Sequence, residues 1–252
     1  MTHPLDGVQL KYERAHDHLD TLQSEFDAFT RDAYGIRHDV EREGREHVYR
    51  IETLKETPSE WGPIIGDCLH SAASALDHLA FQLAILYTGQ LSSDLARDTH
   101  FPIYGNSREF WDNLPKLRAI GPNQVAPMER LQPYHGIKGA DHHWLMILKR
   151  LSNLDKHRTL HTTGYRFGGV AYYRPDNLMG AVYKGGRVVP GAELARFTFN
   201  PPDPDVDMDP SFRIRVALKD TPVADGADVW ELLNTLCFQV KQVVDSFRPL
   251  FS

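Results

Sequence analysis

YGIRHDVEREGREHVYRIETL, residues 34–54, is the stretch on which the fold class turns. Its density of charge suits the fraying end of a preceding helix, and Glu43-Gly44 at its middle suits the reversal of a strand pair. Between these, a short extended piece at 47–54 is preferred, because it buries Val48, Ile51 and Leu54. The N-terminal half then stays helical, and β-structure is left to a later region.

Upstream, residues 8–31 place Leu19, Leu22, Phe26 and Phe29 at three- and four-residue steps among charged residues, an amphipathic helix. Downstream, Pro63 suits the first turn of a helix over 63–88, and Gly89 suits its end. The 89–140 segment is broken by proline and glycine, with one short helix expected at 108–114. Asp141 is placed to cap a helix over 141–160 that carries Leu145, Leu148, Leu151 and Leu154. Residues 165–218 offer three to five β-prone runs divided by turn-forming clusters such as Lys184-Gly185-Gly186. The final helix, 228–248, begins with a capping-box pair, Asp228 and Glu231, and keeps Leu232, Leu236, Val240 and Val243 on an apolar face. The expected fold is a single α+β domain over 1–252, mainly a helical bundle with a small antiparallel sheet inserted before the C-terminal helix.

Composition narrows the function classes. The 252 residues are 41% hydrophobic and 25% charged, which excludes a disordered chain and a collagen-like repeat. A net charge of −6 provides no global attraction to nucleic acid, so RNA binding requires a local basic patch. Cys68 and Cys237 both fall in apolar helical patterns, consistent with buried free thiols and a reducing cytoplasm. Asp77, His78 and Gln82 interrupt the most apolar run, 72–87, and the N-terminus lacks the apolar stretch of a signal peptide, so neither membrane insertion nor export is expected. The alternating Asp203, Asp205, Asp207 and Asp209 mimic the start of a calcium loop, but Met208 and Ile214 occupy its Gly and Glu positions, which favours a solvated acidic loop.

Two helical stripes carry ionisable groups. At 100° per residue, Asp67, His70, Ser74, Asp77, His78 and Phe81 share an arc of about 100° on the 63–88 helix. No Lys, Arg or Glu occurs from Gly66 to Gly89, whereas solvated helix faces are usually rich in them; the arc is therefore expected to be buried or to line a cleft. On the 141–160 helix, His143, Arg150, Asn153, His157 and His161 form a second stripe. An Arg able to stabilise an anionic oxygen and a His able to move a proton are the minimum for metal-free RNA cleavage, which makes Arg150 and His157 the candidate pair. The bland alternatives are a surface ion pair and a helix-end histidine. Ser74, His78 and Asp77 do not make a hydrolase triad, since one short helical segment leaves little room for an oxyanion hole.

A metal site uses overlapping residues. Asp67-x-x-His70 is half of a carboxylate-bridged di-iron motif, and His157 with His161 suits zinc or iron on one helix face. With Asp77 and His78 these form the alternative ligand set, although Glu, which such sites require, is missing from both helices. No HExxH, paired CxxC, GxSxG or Walker-type loop is present.

GDCLHSAASALDHLA at 66–80, FPI at 101–103 and NLDKHRTL at 153–160 together resemble a bacterial, mostly actinobacterial, family of uncharacterised helical proteins. In that pattern the first helix reads GDxLHNLRSALDHL, with the Arg-x4-His spacing of the HEPN superfamily of ribonucleases and nucleotide-binding domains. Here Ala73 replaces the Arg and Ser71 the Asn, and His78 remains. The resemblance implies a HEPN-like protein, either a metal-independent endoribonuclease or a degenerate RNA- or nucleotide-binding relative, with a basic groove composed across a homodimer as the expected way to reconcile this with the net charge. Arg150, His157 and His78 would be catalytic, and Asn153, Asp77 and His70 would contact substrate. The other two readings are a metal-dependent bundle enzyme and a non-catalytic interaction module that uses the 100–111 loop or the sheet.

Overall fold

The computed structural model describes residues 3–157 and 160–251, with the backbone alone at 161–164. Three long helices lie close to their expected positions: α1, Asp6–Thr30; α2, Trp61–Thr88; and, at the C-terminus, α7, Val229–Phe247. Their apolar stripes meet in one core, with Leu19, Leu22, Ile65, Leu76, Leu83, Leu236 and Val240 almost wholly buried. Cys68 and Cys237 are both in it, with their Sγ atoms 4.0 Å apart. The Asp228 carboxylate caps α7 by accepting the Glu231 amide at 2.8 Å. Among the described residues no helix is long and apolar enough to cross a membrane.

The β-structure overturns the expected bundle with one small inserted sheet. Two antiparallel sheets form among the described residues. The first has the order β1-β2-β6-β4, and it begins well before the expected 165–218 insertion: β1, Tyr34–Glu41, and β2, Glu46–Leu54, are a hairpin between α1 and α2. It is completed by β4, Leu178–Tyr183, and β6, Glu193–Phe199. The second sheet, β5-β3-β7, consists of β3, His161–Ala171, β5, Arg187–Val188, and β7, Ser211–Lys219. Residues 34–54 therefore form a strand pair, not one extended piece. The charged 42–44 segment makes the reversal, with Arg42, Glu43 and Gly44 all at positive φ. In β2, Tyr49 and Ile51 point inward, while Val48 is buried beneath side chains on the other face.

Between the sheets lies a second core, rich in aromatics: Tyr49, Tyr165, Phe197, Phe199, Phe212 and the loop residue Met208. Phe29 of α1 joins the two cores, 5.0 Å from the Trp61 ring and 6.4 Å from that of Tyr165. β7 joins them as well, since Phe212 and Ile214 face the sheet core and Val216 and Leu218 the helical one.

The expected helix over 141–160 is shorter, α6, Trp144–Asp155, because β3 begins at His161. Asp141 does not cap it. The cap is His143, whose Nδ1 accepts the Leu145 amide at 3.3 Å. The 89–140 segment is more helical than expected, with α3, Ser93–Asp98, α4, Ser107–Asp112, and α5, Pro122–Arg130.

Candidate functional site

The three segments that carry the family resemblance come together in space, and backbone packing explains much of why. Asp77 of α2 accepts the Phe101 amide at 2.9 Å, tethering the 100–104 chain to the helix. His100 Nδ1 lies 3.8 Å from the other carboxylate oxygen. At the opposite end, Gly66 makes room for the last turn of α6: a β-carbon there would fall 2.2 Å from Asp155 Oδ1. Burial raises the Asp155 carboxyl above its ordinary range, the charge of Asp67 raises it further, and His70 partly offsets both.

A residue absent from the sequence-based set completes the scaffold. Gln132 is fully buried; its Oε1 accepts the Tyr104 amide at 3.0 Å, while its Nε2 donates to the carbonyls of Pro102 at 2.8 Å and Met128 at 3.0 Å. Lys149 Nζ holds the same segment by donating to the Ile103 carbonyl at 2.7 Å. Gln132 has no periodic signal in a proline-rich segment, so its role emerges only when the chain is folded around it.

Between α2, α6 and this pinned segment runs a cleft of about 410 Å³. Ala73, Leu76 and Leu148 form its apolar wall. Its polar rim sets three lysines, Lys116, Lys149 and Lys156, with His100 and Asn153, against two carboxylates, Asp77 and Asp98. Asp98 is drawn toward Arg97, 3.6 Å away, whereas Lys116 and Lys156 make no ion pair among the described residues. The Lys149 ammonium stands 5.7 Å from the Tyr104 ring centroid, within cation–π range. Burial lowers its pKa; Glu109 opposes that shift and Arg150 adds to it.

The candidate site residues divide over this geometry. Asp77 and Asn153 line the cleft, and Ala73 is part of its wall. Asp67 and His70 are exposed near Asp155. Arg150 is exposed, paired with Asp141 at 2.5 Å, and lines a separate hollow with Gly105 and Asn106. His78 is exposed on the side of α2 next to α1, where its Nδ1 is 3.5 Å from the place a Gly7 side chain would start. His157 lies past the end of α6, exposed, with its amide on the Leu154 carbonyl at 3.1 Å. No hydrogen bond or ion pair joins Arg150, His157 and His78 among the described residues. The His161 side chain lies outside the described residues. Among the described residues no group of three or more His, Cys, Asp or Glu is placed to hold a metal ion.

Comparisons of the chain with protein-family models, with curated proteins and with solved structures gave no match.

Proposed function

We propose that the protein is a degenerate HEPN-like binding module whose α2–α6 cleft takes an anionic group of RNA or of a free nucleotide without cleaving it. The observation that carries this reading is the lysine-bearing rim, in which Lys116 and Lys156 have no carboxylate partner among the described residues and Lys149 is held in place over Tyr104. Lysines left unpaired in a concave site favour phosphate, and a tyrosine face beside them suits a base. One chain supplies the whole cation set, so the reading needs no second copy. Binding is favoured over catalysis because Arg150 is committed to Asp141, away from the cleft, and Ala73 supplies no guanidinium.

The test is a titration of fluorescently labelled single-stranded RNA and of ATP, at two salt concentrations, against wild type and the Lys116→Glu/Lys156→Glu pair. Binding that weakens with salt and falls about tenfold or more in the variant supports the reading. Wild-type affinity in the variant overturns it. RNA cleavage that persists in EDTA and disappears in both Arg150→Ala and His157→Ala replaces it with the ribonuclease.

A further inference from the structure

Away from the cleft, the acidic loop 200–210 is folded back onto the β1–β2 hairpin. The Asp203 amide donates to the Gly44 carbonyl at 2.9 Å, and a β-carbon on Gly44 would meet Pro204 N at 2.5 Å. His47 of β2 is completely buried under this loop, with the Phe199 ring of β6 at 5.0 Å. One ring nitrogen, Nε2, lies 2.8 Å from the Asp203 carbonyl oxygen. The other, Nδ1, lies 2.9 Å from Nε2 of His38 on β1.

These two contacts determine where the protons are. A carbonyl oxygen only accepts, so His47 Nε2 carries a hydrogen. The Nδ1 of a neutral His47 then presents a lone pair, and His38 Nε2 donates into it. The chain of donors runs one way, from His38 through His47 to the loop. We propose that His38 and His47 form a proton-sensitive clasp, which holds the Asp203 loop on the hairpin at neutral pH and releases it when both rings are charged.

The first proton is harmless to the clasp: placed on His38 Nδ1, it leaves Nε2–H donating as before. The second must take the His47 Nδ1 lone pair that His38 uses. N–H then opposes N–H, and two cations stand side by side in a contact whose His47 side is buried.

Among the described residues the surroundings neither supply an internal counter-ion for His47 nor block charging of His38. Asp39 of β1 favours the charged form of His38, whose pKa burial and the neighbouring ring lower. Tyr49 of β2 stacks on His38 at 4.4 Å, and Asp207 of the loop bears on Tyr49. The Asp203 carboxylate is engaged with the Asp205 amide and Asn177. Glu46 is turned to Arg42 and Arg196. Release has a structural consequence, because the same loop inserts Met208 into the sheet core, where it is 1% exposed.

The experiment is amide exchange across 199–210 in the full chain, corrected for intrinsic rates, between pH 7.5 and pH 5, with ring ¹⁵N spectra of the histidines. In wild type, loop protection is expected to fall about tenfold or more while α2 stays protected. His47→Gln keeps an amide donor for the Asp203 carbonyl but cannot titrate, so its loop protection is expected to be flat. Flat wild-type protection overturns the proposal, as does a His47→Gln loop that falls as steeply as wild type. If that variant does not fold, the wild-type spectra decide: a His47 Nδ1 already protonated at pH 7.5, or a doubly charged pair under a protected loop, overturns it.

Discussion

The outward face of the four-stranded sheet and the α2–α6 cleft are both polar and both flank apolar packing, yet their charges are arranged in opposite ways. On the sheet, Arg50 bonds Asp39 at 2.5 Å and Glu41 at 2.8 Å, and Arg196 bonds Glu41 at 3.0 Å, Glu193 at 2.8 Å and Glu46. The Glu41 and Glu193 carboxyls are lowered by these guanidinium hydrogen bonds. This network spreads over the buried Val48, and among the described residues it pairs both guanidiniums with carboxylates. In the cleft, Lys116 and Lys156 have no ion-pair partner among the described residues, and the backbone is pinned from beneath by Gln132 and Asp77. The difference teaches that density of charge does not mark a binding surface. A self-neutralised network covers a sheet, while a few unpaired cations on a rigid wall leave room for an anion.

The comparison is open to attack first at the two cores beneath these faces. Phe197→Ala in the sheet core is expected to cost about 3–5 kcal/mol, and Leu236→Ala in the helical core about 2–5 kcal/mol, both read from denaturant midpoints. Because Phe29 and β7 bridge the cores, each substitution is expected to shift one shared transition. Two separate transitions, only one of them moved, would show that the sheet and helical regions unfold independently.

Gly66→Ala is the next largest effect. It drives a methyl group into the Asp155 carboxylate and is expected to cost about 1–3 kcal/mol, as overpacking does. Asp155→Ala in the same chain should recover part of that loss. Additive costs in the double-mutant cycle would mean that the Gly66–Asp155 contact does not hold α6 against α2.

The contrast in charge is sharpened by the Lys116→Glu/Lys156→Glu pair, expected to lower RNA or nucleotide affinity about tenfold or more, roughly 1.4 kcal/mol, with an unchanged melting temperature. Both side chains are exposed, so a fall in melting temperature would assign them a structural role instead.

The smallest effect is pH-dependent. Asp155 has its carboxyl raised by burial and by Asp67, so the folded state resists its ionisation. The stability it contributes is complete below the unfolded carboxyl pKa, about 3.9, and is lost as pH rises through the higher folded value. Asp155→Asn is therefore expected to be slightly more stable than wild type at pH 7 and equal to it near pH 3, measured by thermal melts. A destabilised variant at pH 7 would mean that the carboxylate makes a favourable contact with His70.

The candidate site was legible only in part. The absence of Lys, Arg and Glu from 66–89 pointed to a buried or cleft-lining arc on α2; of that arc Asp77 lines the cleft, whereas Asp67, His70 and His78 are exposed. The cations, however, come from α6, from the residue that follows its end and from the turn at Lys116, where nothing in the local pattern sets them apart from ordinary surface lysines. Arg150 and His157 shared a stripe on paper, but the helix stops at Asp155 and Asp141 takes the guanidinium.

Sequence alone determined α1, α2 and α7 to within about two residues, the Asp228 cap and the burial of Cys68 and Cys237. Helical hydrogen bonds close within four residues, so the apolar period, the cap and the glycine stop are all written locally. Tertiary structure decided the hairpin at 34–54, the sheet order and the cleft. Val48 pairs with Arg196, and Glu46 meets that same arginine across 150 positions, so the partners that make 34–54 a strand pair lie far outside any local window. The backbone of 101–104 likewise takes its place from Asp77, Gln132 and Lys149, three side chains on separate stretches that only the folded chain brings together.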